Sequence, residues 1–318
     1  MKQADLGLNL SSKRRKRQFL DEMERVVPWS ELIALIEPYY PRGKTGRPPF
    51  GIAVMLRIHF LQQWFGLSDP AMEEALHDVP MYREFCGIEV GPVRLPDEST
   101  ILRFRHLLEA HGLAHRMLQA INATLSARGL MLKTGSVVDA TLIQAPSSTK
   151  NASGERDPEM HQTSKGKQWY FGMKAHIAVD ADSGLVHSVI GTAANVCDLN
   201  VAGALLHGQE EVAFGDAGYQ GVHKRDEARG PLWHVAMRPG KRRQLDRTKA
   251  ADALIDALER TKASIRAKVE HPFRVIKRQF GFIKVRYRGI LKNTAQLHTL
   301  FALSNLWMAR RRLIALQG

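Results

Sequence analysis

Ser136-Val137-Val138-Asp139-Ala140-Thr141 is the stretch whose reading decides the fold. Two valines lead straight into a carboxylate, the pattern of a buried strand that carries a charge. A carboxylate among apolar neighbours is costly unless it is paired, hydrogen-bonded or metal-bound, so this strand implies a partner for Asp139. The chain changes character at the same place, near Lys133. Before it the apolar periodicity is helical; after it strands are interleaved with helices.

Upstream, a basic run from Lys13 to Arg17 leads into Phe19, Leu20, Met23, Val26 and Val27, spaced as one face of an amphipathic helix. A Pro- and Gly-rich linker, Pro38 to Pro49, precedes a second helical pattern, Ile52, Met55, Leu56, His59, Phe60 and Gln63, which Gly66 ends. Asp69-Pro70 and Pro96-Asp97 each start a further helix, Asp69 as its cap. Downstream, the polar stretch Pro146 to Lys167 reads as a long loop, functional or mobile. Lys174 to Asp180 and Leu185 to Ile190 predict two strands joined by Ala181-Asp182-Ser183-Gly184. Leu199 to His207 predicts a helix, Val212 to Phe214 a strand ending in Gly215-Asp216-Ala217-Gly218, and Leu232 to Met237 another strand. Helices follow over Thr248 to Glu270 and Thr294 to Leu316. A hairpin followed by strands and helices implies an α/β fold with a mixed sheet, in an order that matches a ribonuclease H-like core. The expected division is a helical region over 1–130, the sheet-containing core over 131–290, and a C-terminal helix packing on that core over 291–318.

The composition narrows the class. Among 318 residues, 46 Lys and Arg face 32 Asp and Glu, a net charge of +14, which favours a polyanionic partner, nucleic acid above all. With 44% apolar and 25% charged residues, the chain is not wholesale disordered. Two cysteines, Cys86 and Cys197, exclude a disulfide framework or an all-cysteine zinc site, and His161 with Cys197 lacks zinc-site spacing. Arg57 and His59 interrupt the longest apolar candidate for a membrane span, and the N-terminus has no apolar signal core. The expectation is a cytoplasmic protein without membrane attachment. A basic helical block fits DNA binding, and equally helix packing or oligomerisation.

Three acids stand at structurally marked points: Asp139 on the first strand, Asp216 at a strand end between glycines, and Glu270 far along a basic helix. Capping a turn is the commoner role for any one of them alone. Together they fit phosphodiester chemistry, in which two divalent ions held by carboxylates activate the attacking oxygen and stabilise the leaving one. Arg266 lies four residues before Glu270 and Lys277 seven after, so one helical face would carry an acid for metal and cations for phosphate. Pro272 interrupts that helix or begins a new one. Trp169, Tyr170, Lys174 and His176 are candidates to line a DNA channel, or else strand-edge packing. Trp233 and His234 read as core packing. Arg14 and Arg15 in the N-terminal run, with Lys241 and Arg242 in Lys241-Arg242-Arg243, are candidate phosphate contacts or solvated loops.

Asp139, Asp216 and Glu270, with Arg266 and Lys277 around the last, resemble the DDE motif and C-terminal signature of insertion-sequence transposases. Longer words sharpen the likeness: Val138-Asp139-Ala140-Thr141, the run from Met160 to His176, Gly215-Asp216-Ala217-Gly218-Tyr219-Gln220-Gly221, Arg47-Pro48-Pro49, and the run from Gly66 to Leu76. They resemble insertion-sequence family five, within the wider family-four/five group, over nearly the whole chain. That signature usually begins with a Tyr three residues before the Arg; here the position is Ala263. The resemblance implies a ribonuclease H-like catalytic core behind a helical N-terminal DNA-binding domain. It also implies binding to terminal inverted repeats of double-stranded DNA, strand cleavage, and joining of the 3′ ends to target DNA without a covalent protein intermediate. Asp139, Asp216 and Glu270 would hold Mg²⁺ or Mn²⁺, as two ions, and Arg266 and Lys277 would hold phosphates. Paired DNA ends imply at least a dimer of the chain. A catalytically silent DNA-binding regulator and a nuclease without strand joining are the competing readings.

Overall fold

The computed structural model describes residues 15–43, 47–89, 93–151 and 154–317; Arg14 lies outside them. The basic, apolar-striped segment at the start forms α1 (Arg15–Val26), and α2 (Trp29–Ile36) follows. After the linker comes α3 (Ile52–Phe65), closed by Gly66 in the left-handed conformation at φ 68, where a side chain would be strained. Next are α4 (Asp69–Asp78), α5 (Pro80–Cys86), α6 (Glu98–Ala110) and α7 (Leu113–Ala127). The cap of α4 lies one residue earlier than predicted: Ser68 Oγ accepts the Ala71 N–H at 3.3 Å. That frees Asp69 to turn inward, where it accepts from Gln62 at 2.8 Å and pairs with Arg105 at 3.0 Å. Asp97 does cap α6, accepting the Thr100 N–H at 2.7 Å.

The sheet is built around β1 (Gly135–Gln144). The polar stretch before β3 contains a strand the sequence pattern does not reveal, β2 (His161–Lys165). It has no apolar alternation because it lies at an edge with mostly exposed side chains. β3 (Gln168–Asp180) runs antiparallel to β1, and both β2 and β4 (Val186–Ala193) pair antiparallel with β3. β5 (Val212–Gly215) is parallel to β1, and β6 (Leu232–Val235) is parallel to β5. The order β4-β3-β1-β5-β6, in which β3 alone runs against the other four, is that of a ribonuclease H-like core. The predicted helix over Leu199 to His207 is smaller in fact, a 3₁₀ turn at Asp198–Asn200 and α8 (Ala202–Leu205).

Period-2 alternation on β1 sorts the two cores. Val137, with Ile177 and Val179, joins the large core on one face; Val138, with Ala178, joins a small core of Val201, Leu205, Tyr219 and Val222 on the other. The large core is continuous from α1 through the helices to the sheet. Its axis is the last helix, buried along most of its length through Leu297, Leu300, Phe301, Leu303 and Leu306. Asn305 on that helix accepts the Val186 N–H at 2.8 Å and donates to Val186 O at 2.7 Å and Asn122 at 2.8 Å, so helix, sheet edge and α7 share one buried polar lock.

Between β6 and this helix the chain forms α9 (Pro239–Arg242) and α10 (Ala250–Arg266). The helical winding then changes three times: a 3₁₀ turn at Ala267–Val269, α11 (Glu270–Arg274), and a π-helical turn at Val275–Gln279. The predicted helix to Glu270 therefore stops at Arg266. Pro272 sits in the first turn of α11, where its missing N–H leaves no helical bond unmade. The last helix, α12 (Ile290–Ala315), closes the fold. No helix among the described residues is long and apolar enough to cross a membrane.

Candidate active site

Asp139 sits mid-strand on β1, on the face it shares with Val137. Its Oδ1 accepts the Ala140 N–H at 2.7 Å. Burial pushes its carboxyl from 3.8 up to about 6, and the charges of Asp216 and Glu270 push the same way; the Ala140 N–H and Arg266 oppose them. Residues 139, 216, 266 and 270, distant in sequence, thus lie close enough for their charges to act on one carboxyl.

Local structure explains each position. β5 lies parallel beside β1, so its C-terminal end delivers Asp216 next to Asp139. Asp216 caps the 3₁₀ turn Ala217–Tyr219, its Oδ1 accepting the Gly218 N–H at 2.8 Å. The flanking glycines are needed for close approach. A Cβ on Gly215 would stand 2.9 Å from the Tyr219 side chain, and one on Gly218 would stand 2.9 Å from Asp216 Oδ1. Capping occupies one oxygen and leaves Oδ2 available. Glu270 opens α11 on an exposed surface, and neither it nor the half-buried Arg266 has a hydrogen bond or ion pair among the described residues.

Lys277 takes a different place from the one its spacing predicts. The 3₁₀ and π turns break the 3.6-residue period, so Arg266, Glu270 and Lys277 do not share one uninterrupted α-helical face. Lys277 Nζ instead donates to Thr141 Oγ1 at 2.6 Å and Leu142 O at 3.1 Å on β1. Burial, with Lys165 nearby, lowers its pKa, while Glu270 pulls it up. The lysine pins the π turn to the strand that carries Asp139.

Other predicted contacts divide. His176 has a fully buried side chain, 0% exposed, and bonds Thr192 Oγ1 at 2.8 Å; it does not face a DNA channel, because it points into the small-core side of the sheet. Lys174 donates to Asp198 and to Val196 O, each at 2.8 Å, so its charge is paired within the chain. Arg242 is likewise turned inward, 2.9 Å from Asp256, which is only 1% exposed and also binds Arg247 and Arg260. Trp169 is 69% exposed on the β2–β3 hairpin, and Lys241 is exposed. Arg15 lines a groove of about 400 Å³ with Lys16, Phe19, Trp64, Phe280 and Arg311. Trp233 packs as expected, stacked over Tyr219 and donating to Ala228 O at 2.9 Å, and His234 stacks on Phe214.

Two further residues lie near the acids. Asp198, in a polar loop after β4, holds Lys174 and lies 3.7 Å from His176. The Tyr219 hydroxyl is buried without a hydrogen-bond partner among the described residues; burial, then the charges of Asp198, Asp139 and Asp216, push its pKa up. Only the word around Asp216 marks Tyr219, and nothing in the spacing marks Asp198.

Comparison with known proteins agrees with this geometry. Residues 131–306, over half of the chain, match the family model described as Transposase DDE domain. Residues 8–107 match the model described as Transposase domain (DUF772). No solved structure matches the chain. The chain belongs to the DDE-type insertion-sequence transposases, metal-dependent enzymes that cut and transfer DNA.

Proposed function

We propose that this transposase is of the family-five kind, that it binds the terminal inverted repeats of its own element, and that it cleaves there and joins the freed 3′ ends to target DNA. Asp139, Asp216 and Glu270 are the proposed metal-holding acids. The observation that carries the reading is the electrostatic strain on Asp139, whose carboxyl is driven up by burial and by the other two acids. A divalent cation relieves that strain. The donor set fits a hard ion: three carboxylates, two with an oxygen not engaged by the protein and the third, Glu270, with neither engaged. The proposed occupants are a pair of Mg²⁺ or Mn²⁺ ions, the arrangement that lets one activate the attacking oxygen while the other stabilises the leaving one.

When bound, such ions supply an activated attacking oxygen and a stabilised leaving oxygen. The remaining work belongs to the chain. The Ala140 N–H and the Gly218 N–H orient one oxygen on each aspartate. Arg266, unpaired among the described residues and close enough to act on Asp139, offers a planar guanidinium to a phosphate. Lys277 acts as a positioning residue through Thr141 and Leu142. Exposed Trp169 and Lys241, with the Arg15 groove, extend a cationic path for duplex DNA, while the region over 1–130 is the proposed end-binding domain. The working form is at least a dimer, since two ends must be paired.

The test is to incubate the chain with a linear duplex carrying its element's ends, a supercoiled target and Mg²⁺. Joined products are expected. Nicks without joining would replace the reading by a nuclease, and a mobility shift without cleavage would replace it by a silent DNA-binding regulator.

A further inference from the structure

Away from the three acids, at the base of the same strands, lies a cluster that DNA cleavage does not use. His187, His207 and Glu210 each offer a ligand atom, and these atoms all lie within 4.8 Å of one another. We infer that they form a second metal site, for a Zn²⁺-like dication, which staples β4 to the β1–β5 strand pair.

The backbone builds this cluster deliberately. In the β3–β4 ladder, Ala178 pairs with Ser188 and Val179 with Val186, so His187 is the extra residue of a β-bulge. A bulge re-aims a side chain that regular alternation would send to the other face. The re-aimed imidazole reaches Ser136 Oγ on β1 with Nε2 at 2.8 Å. Ser136 in turn donates to Glu210 Oε1 at 3.2 Å, so one hydroxyl already bridges two of the three ligands.

Glu210 has a side chain 0% exposed and is oriented by the backbone N–H groups of His207 and Gly208, at 2.7 and 2.8 Å. The His207 ring stands 5.0 Å from that of His187. Its Nε2 lies 3.4 Å from Glu210 Oε1 and is buried without a hydrogen-bond partner among the described residues. At His187, Ser188 Oγ meets Nδ1 at 3.0 Å beside the Ser136 contact to Nε2 at 2.8 Å, and an ion must displace one of the two; at His207 the competing contact is Gln209 N–H to Nδ1, at 3.3 Å. It is long, and it gives way when Nδ1 takes up the proton that a ligating Nε2 releases.

Two imidazoles and a carboxylate make a donor set for zinc, with Ser136 or water as the fourth ligand. Nitrogen donors separate this site from the all-oxygen acids at the other end of the strands, which favour Mg²⁺. Its ligands lie on β4 and on the loop entering β5, and Ser136 pairs with Ala213 of β5. An ion here would therefore fix the base of the two strands that present Asp139 and Asp216.

The experiment uses the full chain after chelator treatment, with Asp139→Asn, Asp216→Asn and Glu270→Gln combined so that the carboxylate site is silenced. Zn²⁺ titrated by calorimetry is expected to bind at one equivalent and to raise the thermal midpoint. Co²⁺ added to the unaltered chain is expected to give the intense visible absorption of a four-coordinate nitrogen-containing site, bleached by Zn²⁺. His207→Gln is expected to lose the one-equivalent step while keeping its circular dichroism spectrum. Absence of the Co²⁺ band would overturn the inference without any variant, and so would Zn²⁺ binding to folded His207→Gln at unchanged affinity.

Discussion

Replacing Asp139 by Asn should make the metal-free protein more stable while abolishing cleavage. The Asn side chain keeps the shape and the acceptor for the Ala140 N–H, now at 2.7 Å, and removes only the charge. In the native chain that charge is resisted by burial and by Asp216 and Glu270, which together move the carboxyl from 3.8 to about 6. At about 1.4 kcal/mol per pH unit, ionising Asp139 in the folded state costs at most about 3 kcal/mol. The pH dependence follows from the sign. Below pH 3.8 both states hold the proton and Asp139→Asn changes little. As the pH rises, the unfolded chain ionises first, and the advantage of the variant grows until it levels off above about pH 6. Urea denaturation of the chelator-treated proteins from pH 4 to pH 8 measures this directly. A variant no more stable than the native chain at pH 8, or one whose advantage is the same at pH 4, would refute the electrostatic account of the site.

Further outcomes follow from other contacts. Lys277→Met removes the bonds to Thr141 and Leu142 and is expected to lower stability by about 1–3 kcal/mol, read by denaturation, and to slow cleavage without weakening end binding. Asn305→Ala leaves the Val186 N–H and C=O and the Asn122 amide without their partner on α12; a loss of about 2–4 kcal/mol is expected, and a loss under 0.5 kcal/mol (about the scatter of surface substitutions) would count against the buried lock. Acid should unfold the chain through its neutral histidines. His59 and His298 are each lowered from 6.5 to about 4, chiefly by burial, so the unfolded chain binds protons that the folded chain refuses. Their contribution is complete above pH 6.5 and is lost as the pH falls toward 4, by up to about 3 kcal/mol for the fully buried His59. His59→Gln should flatten that part of the stability profile.

Much of the site was legible because β-strand physics writes it locally. Val137 and Val138 before Asp139 announce a strand buried on both faces, and Gly215 and Gly218 around Asp216 are required by contacts of 2.9 Å. What escaped was set by tertiary context. β2 carries the polar word His161-Gln162-Thr163-Ser164-Lys165 because both its faces meet solvent, so periodicity has nothing to report. The shared face of Arg266, Glu270 and Lys277 assumed one α-helix, and the 3₁₀ and π turns on either side of α11 removed that premise. His176 and Arg242 have the chemistry of phosphate contacts, yet each meets a partner inside the chain, Thr192 and Asp256, that no local spacing could name. The bulge at His187 is invisible for the same reason, since a one-residue slip between β3 and β4 exists only once the strands are paired.

The central claim is that Asp139 binds a metal ion that DNA cleavage needs. Asp139→Cys tests it most directly, with cleavage of an end-bearing duplex followed in Mg²⁺ and in Mn²⁺. Thiolate is a poor ligand for hard Mg²⁺ and a better one for softer Mn²⁺. The account predicts no cleavage by Asp139→Cys in Mg²⁺ and recovered cleavage in Mn²⁺, with end binding intact in both. Native activity in Mg²⁺, or inactivity in both metals with DNA still bound, would contradict it.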